Sequence, residues 1–302
     1  MENPLVTLIG IFGPTASGKS SVAAELAGRI PSELVSADAL QVYRGLPILT
    51  NQPSEPTRMV GIWPLDKDAS VGEYAPLAHA AIDDILAAGR TPVVVGGTGL
   101  YLRAALAELS LPPAPGEGAR ERWERFYDEV GAASAHARLE ELDPAAAAVV
   151  HANDRRRVVR ALELAEAGAS LVPDEDRLWT SETRHPSLVV GLDVAADVLE
   201  RRIEERTRAM FDAGVQEEVE RALAGPISTT ARQALGLEEV ATLPREEAIA
   251  ALVVRTRRYA AYQRKWMRRI PGIAIVAADR PPGEIADDIV ALARTREHVP
   301  RR

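Results

Sequence analysis

Two rhythms of apolar residues alternate along this 302-residue chain. One is a short run, apolar at its centre, seen at 5–12, 33–36, 91–95, 188–193 and 273–276. Runs of this length without a polar face suit strands covered on both sides of a parallel sheet. The other rhythm is helical. It covers residues 21–27, residues 76–88 up to Gly89, a charged helix or helix pair over 196–225, a helix over 246–269, and the amphipathic tail. Residues 47–75 carry Pro47, Pro53, Pro56 and Pro64 and predict an irregular surface lobe. The stretch 111–116, Leu-Pro-Pro-Ala-Pro-Gly, reads as a linker. Residues 117–168 beyond it are helical with no strand run, and Gly168 and Pro173 close them. Strands alternating with helices predict an α/β fold built on a parallel sheet. Its parts would be a core over 1–116, an all-helical insertion over 117–173, and the rest of the core over 174–302. No internal repeat or low-complexity segment interrupts this order.

The first strand run opens into Gly13-Pro14-Thr15-Ala16-Ser17-Gly18-Lys19-Ser20, followed at once by a helical pattern. Strand, glycine loop and helix form the setting of the phosphate-binding P-loop, G-x-x-x-x-G-K-[ST]. The sheet is therefore expected to be P-loop NTPase-like. Glycine lets backbone N–H groups converge on one anion, and the helix start adds free donors and a positive dipole end. Lys19 adds a charge, and the Ser20 hydroxyl is the expected Mg²⁺ ligand. Lysine occurs only at 19, 67 and 265, so one of three falls where this motif needs it. The motif implies a phosphorylated small molecule without naming it.

Asp38 follows the second strand run, and strand ends are where ligands bind in such sheets. Position alone leaves it open as a Mg²⁺ ligand, a base beside the phosphates, or a helix N-cap. A second glycine turn, Gly96-Gly97-Thr98-Gly99, follows the 91–95 run and can approach a ligand.

Composition narrows the chemistry. With no cysteine, disulfides, thiolate zinc sites and cysteine nucleophiles are excluded. Five scattered histidines offer no H-x-x-x-H pair. No run reaches membrane-spanning length, and the start lacks the basic residues of a signal peptide, so a cytoplasmic protein without membrane contact is expected. Net charge is −8, which by itself argues against nucleic acid. Arginine is nonetheless clustered at 155–160, at 201–208 and from Arg255 to Arg269. The last cluster holds Tyr259, Tyr262 and Trp266, which suits either RNA, through stacking and phosphate contacts, or a solvated amphipathic helix.

These stretches together resemble the tRNA dimethylallyltransferase (tRNA isopentenyltransferase) family. The matches are 13–20, Ser36-Ala37-Asp38, Gln41-Val42-Tyr43-Arg44-Gly45, residues 95–102, Asp143-Pro144, residues 151–163, Arg206 with Met210 and Gly214, Thr256-Arg257, and Gln263 with Trp266. They run in order from about residue 5 to 270. The resemblance implies transfer of a dimethylallyl group from dimethylallyl diphosphate to N6 of an adenosine beside the tRNA anticodon. It implies a P-loop of Gly13, Pro14, Thr15, Ala16, Ser17, Gly18, Lys19 and Ser20 holding diphosphate with Mg²⁺. Asp38, Thr15 and Arg206 would be catalytic. Asp38, Ala39, Leu40, Gln41, Thr98, Arg120, Arg156, Arg157 and Arg160 would contact tRNA, with the insertion clamping the anticodon stem-loop of a monomeric enzyme. Relatives prenylating free adenylate and small-molecule kinases are the competing readings. The chain departs from the family pattern at Leu49-Thr50-Asn51-Gln52-Pro53, at Gly236-Leu237-Glu238-Glu239, and at Ala261-Tyr262, where two basic residues are usual.

Overall fold

A computed structural model describes residues 6–113, 116, 118–172 and 177–295. Leu5, Glu117, Pro173 and Asp174, on which the expected first strand and the insertion boundaries fall, lie outside them. The chain divides into two compact units, one of Met1–Glu108 with Ser181–Arg302 and one of Leu109–Thr180.

The larger unit is built on six strands. They are β1 (Leu8–Phe12), β2 (Ser32–Ser36), β3 (Thr57–Arg58), β4 (Thr91–Gly96), β5 (Ser187–Asp193) and β6 (Ala274–Ala277). All pairs are parallel, in the order β3-β2-β4-β1-β5-β6. Strand period two sorts the side chains to both faces. Ile9 and Ile11 pack on one side with Leu26, Ile203 and Phe211; Leu8 and Phe12 pack on the other with Ile82, Tyr101 and Leu102. That double coverage explains the unbroken apolar runs. Register aligns Phe12 with Gly96 and Ser36 with Val95, so β1, β2 and β4 end level and release Gly13, Asp38 and Gly97 at one edge.

The helices of this unit are α1 (Lys19–Ala27), α2 (Val71–Ala87), α3 (Gly99–Leu106), and, numbered after three in the other unit, α7 (Ala196–Asp212), α8 (Val215–Leu223), α9 (Leu237–Thr242), α10 (Arg245–Met267) and α11 (Pro282–Thr295). The 196–225 stretch is a pair, broken at Gly214, whose φ of 88° only glycine adopts without strain. Helix α2 starts five residues before the expected Pro76, because Ser70 and Glu73 form a capping box: Ser70 Oγ accepts from the Glu73 N–H at 3.2 Å.

The expectation of a surface lobe at 47–75 holds in part: Pro47, Pro56 and Pro64 are exposed, whereas Leu49 and Met59 are buried in the core and Thr57–Arg58 adds the edge strand β3. A carboxylate holds this segment. Buried Glu218 of α8 accepts the Ile48 and Leu49 N–H groups, each at 2.8 Å. Neither proline content nor apolar rhythm reveals such a long-range cap. Glu218→Ala would strand two backbone donors and is expected to cost about 3 kcal/mol in urea unfolding; Glu218→Gln, which keeps one acceptor oxygen, should cost less.

The smaller unit holds α4 (Ala119–Leu142, kinked at Gly131), α5 (Pro144–Val149) and α6 (Arg155–Glu166) around Tyr127, Leu139, Val150, Val158 and Leu162. Asp143 caps α5 and Asp154 caps α6 through the Ala146 and Arg157 N–H groups. Among the described residues no helix is long and apolar enough to cross a membrane.

Candidate functional site

The site begins where β1 ends. Gly13 has no room for a side chain, since a Cβ would lie 2.7 Å from Ser17 Oγ. Gly18 caps α1 at φ 89°, and Ala16 also sits in the left-handed region at φ 62°. The loop thus turns tightly and aims the first turn of α1, where Ser20 is exposed, into an open cavity. Lys19 Nζ donates to the Gly13 and Pro14 carbonyls at 2.9 and 2.8 Å, bracing the loop from within.

Two charged side chains converge on this loop. Arg206 of α7 donates to Thr15 Oγ1 at 2.6 Å. Asp38 accepts the Leu40 N–H on Oδ1 at 3.0 Å, so the turn after β2 fixes its carboxylate. Burial lowers the Lys19 pKa to about 8; Asp38 opposes that fall and Arg206 adds to it. Burial likewise pulls Arg206 down, against the pull of Asp38. Two cations beside one carboxylate leave an excess of positive charge, which an anionic ligand would satisfy.

A cavity of about 330 Å³ opens over the loop. Thr15, Lys19, Ser20, Asp38 and Arg206 give it a polar end. Leu49, Ile203, Met210, Leu235 and Leu252 give it an apolar wall. A second cavity of about 220 Å³ shares Lys19, Ser20, Ser21, Asp38 and Gln41 with the first. Asp38 therefore borders both.

Gln263 of α10 joins two loops. Its Oε1 accepts the Thr15 N–H at 2.7 Å and its Nε2 donates to the Gly97 carbonyl at 2.9 Å. This gives the 96–99 turn a second reason for its glycines. A Cβ on Gly97 would meet Gln263 Nε2 at 2.3 Å, and one on Gly99 would meet the Trp266 ring at 2.1 Å. Gly97 and Gly99 make room for α10, and Gly96 and Gly97 border the second cavity. Sequence reasoning matched Gln263 but gave it no place in the site; glycines two apart facing Gln and Trp three apart was the available signal.

The remaining expected residues divide by unit. Ala39 donates its N–H to Thr98 Oγ1 at 3.3 Å, and Leu40 lines the first cavity. The Gln41 amide is engaged by Ser36 Oγ and by the Thr50 and Asn51 carbonyls, pinning the loop that carries Leu49. Arg120, Arg156, Arg157 and Arg160 belong to the smaller unit. Arg120 pairs with Glu124 at 3.3 Å, and Arg160 pairs with buried Glu163 at 2.9 Å and donates to the Pro113 carbonyl at 2.7 Å. Arg156 and Arg157 are exposed on α6.

The basic cluster of α10 is less open than its sequence suggests. Arg255 pairs with Glu239 at 2.5 Å and Arg257 with Glu200 at 3.7 Å. Arg264 is spent on the Val194 carbonyl and on Asp193.

An IPP transferase family model matches residues 41–270. The tRNA dimethylallyltransferase of Corynebacterium jeikeium is 39% identical over 286 residues, 90% of this chain and 92% of that protein. The tRNA dimethylallyltransferase of an Anaeromyxobacter species is 39% identical over 304 residues, 95% of this chain and 96% of that one. The crystal structure of the full-length tRNA isopentenylpyrophosphate transferase from Bacillus halodurans superposes with a TM-score of 0.68 at 30% identity, covering 97% of this chain and 99% of that one. The similarity thus extends over nearly the whole chain, which belongs to the IPP transferase family, the tRNA dimethylallyltransferases.

Proposed function

We propose that this chain transfers the dimethylallyl group of dimethylallyl diphosphate to N6 of the adenosine beside the anticodon of tRNA, releasing diphosphate. The observation that carries the chemistry is one cavity with a cationic phosphate cradle, a fixed carboxylate and an apolar wall. Diphosphate suits the P-loop amides, Lys19 and Arg206. The five-carbon chain suits Leu49, Met210, Leu235 and Leu252. The adenine amine must reach the allylic carbon beside Asp38, so the base has to leave the anticodon-loop stack.

The step balances simply. N6 forms a bond to the allylic C1 while the C1–oxygen bond breaks, and its electron pair leaves on diphosphate. Asp38 takes the proton that N6 sheds. Lys19 and Arg206 stabilise charge that grows on the leaving oxygen. Thr15, held by Arg206 and Gln263, keeps the loop in the receiving geometry.

Among the described residues no group of three or more His, Asp or Glu could hold a metal by itself. A Ser20 hydroxyl near Asp38, with phosphate oxygens to complete the shell, fits a hydrated Mg²⁺ that arrives with its substrate. When bound, Mg²⁺ would neutralise part of the diphosphate charge. Exposed Arg156 and Arg157, with Arg120, are the proposed phosphate contacts of the smaller unit, which would clamp the anticodon stem-loop. We place the protein in the cytoplasm, acting as a monomer.

The lowered Lys19 pKa gives a pH test. Its ammonium loses a proton as pH rises through about 8 in the free protein. The kcat/KM for dimethylallyl diphosphate should fall above that pH, since this ratio reports free-enzyme groups. Bound diphosphate raises the Lys19 pKa, so kcat at saturation should hold to higher pH. Two superimposable profiles would contradict the assignment.

The function itself is tested by three labelled incubations: dimethylallyl diphosphate with tRNA, the same donor with AMP, and γ-labelled ATP with tRNA. Label should enter tRNA from the first alone. Transfer to AMP would make this an adenylate prenyltransferase, and transfer from ATP a kinase.

A further inference from the structure

Tyr262 is 55% exposed on α10, an unusual position for a large ring. It lies against a second ring. Tyr259 and Tyr262 stack with centroids 6.5 Å apart and planes inclined by 24°. Tyr259 lines the first cavity, its hydroxyl near the side chains of Thr98 and Gln263, and burial pushes its pKa up to about 12, so it stays a neutral phenol. The pair therefore runs from the wall of the reaction cavity to solvent, the outer ring presenting its far face to whatever approaches.

Charge frames that outer ring. Arg258 lies four residues before Tyr262 and Lys265 three after, one helical stripe on the same face. Both are exposed, and neither makes an ion pair among the described residues. On a chain of net charge −8, free cations on either side of an exposed ring mark a place for a polyanion with flat groups. Single-stranded RNA has that chemistry: phosphates for the cations and a base for the ring. A membrane surface would require several exposed apolar side chains around the ring, whereas the positions four before and three after it on α10 are the exposed Arg258 and Lys265.

We propose that Tyr262 is a stacking platform for an unpaired tRNA base neighbouring the adenosine that enters the cavity, with Arg258 and Lys265 holding the adjoining phosphates. The inference rests on the tRNA-modifying reading above and adds to it a positioning residue. By occupying one base outside the cavity, Tyr262 keeps the loop open and presents the next base to Asp38. Arg264, turned to Val194 and Asp193, takes no part.

The test uses the full chain, an unmodified tRNA transcript and the variants Tyr262→Phe and Tyr262→Ala. A platform requires the ring and not the hydroxyl. Tyr262→Phe should retain tRNA affinity, while Tyr262→Ala should raise the KM for tRNA by about 5- to 150-fold, the range for one lost base stack. The KM for dimethylallyl diphosphate should not move. An abasic nucleotide is then scanned through the anticodon loop. At one position, the two proteins should bind abasic RNA equally, because the partner of the ring is gone. Unchanged tRNA affinity in Tyr262→Ala, or a difference that survives at every abasic position, overturns the platform and leaves the transferase reading intact. Wild-type protein that neither binds nor modifies tRNA overturns both.

Discussion

Asp38→Asn is expected to lower kcat for prenyl transfer by about 10²–10⁴-fold, the range for loss of a general base. The substitution keeps the shape of the site, because the amide oxygen can still accept the Leu40 N–H that orients Asp38. It removes the proton acceptor and one negative charge. Diphosphate affinity near neutral pH should survive, since Lys19, Arg206 and the loop amides remain. A further consequence has a fixed sign. Asp38 holds the Lys19 pKa up against burial, so its loss should shift the alkaline fall of kcat/KM below about pH 8. Collapse of diphosphate affinity in Asp38→Asn would instead make Asp38 part of the metal site.

Lys19→Met is expected to remove about 10²–10³-fold in kcat, the range for one donor to a developing oxyanion, and to raise the KM for dimethylallyl diphosphate as well. Methionine replaces the apolar stem but offers nothing to diphosphate or to the Gly13 and Pro14 carbonyls. The loop has independent supports in the Gln263–Thr15 and Arg206–Thr15 hydrogen bonds, so thermal unfolding should change little. The burial that depresses the Lys19 pKa works against folding with a charged lysine. The Lys19 contribution to stability therefore rises with pH between about 8 and the unfolded value, where the unfolded state binds more protons. Lys19→Met should lack that rise. Turnover within a fewfold of wild type would remove Lys19 from the phosphate cradle.

How far the sequence disclosed this site follows from the range of its interactions. The P-loop is local: glycines, lysine and serine sit within eight residues between a strand and a helix, and the structure keeps them there. Asp38 is local too, placed by the end of β2. The strands were legible because both sheet faces are covered. The 41–75 segment was not, because distant groups hold it: Glu218 on the Ile48 and Leu49 amides, and the Tyr74 hydroxyl on the Ser36 carbonyl at 2.8 Å. Four prolines there mark irregular backbone, and Pro47, Pro56 and Pro64 are exposed, yet Leu49 and Met59 between them are buried. Gln263 was hidden in the same way, 248 residues from the Thr15 amide it holds. The α10 cluster shows the reverse error. Its seven basic side chains look equivalent in sequence, yet Glu239, Glu200 and Asp193 engage three of them. Only the folded arrangement leaves Arg258 and Lys265 beside Tyr262.

The apolar wall was also beyond sequence reading. Leu49, Ile203, Met210, Leu235 and Leu252 come from four separate segments, and none carries a motif. Their meeting beside Lys19 and Arg206 is the feature on which the proposed prenyl diphosphate reading rests.

Nucleoside analysis of a modified transcript tests the central claim most directly. An unmodified tRNA transcript with adenosine beside the anticodon is incubated with the protein, dimethylallyl diphosphate and Mg²⁺, digested to nucleosides and analysed by mass. The expected product is one adenosine per tRNA heavier by a single dimethylallyl group on N6, absent when that adenosine is replaced by guanosine and absent with Asp38→Asn over the same interval. Prenylation of the guanosine-substituted transcript, or full product from Asp38→Asn, would contradict a cavity that holds prenyl diphosphate and aligns that adenine amine through Asp38.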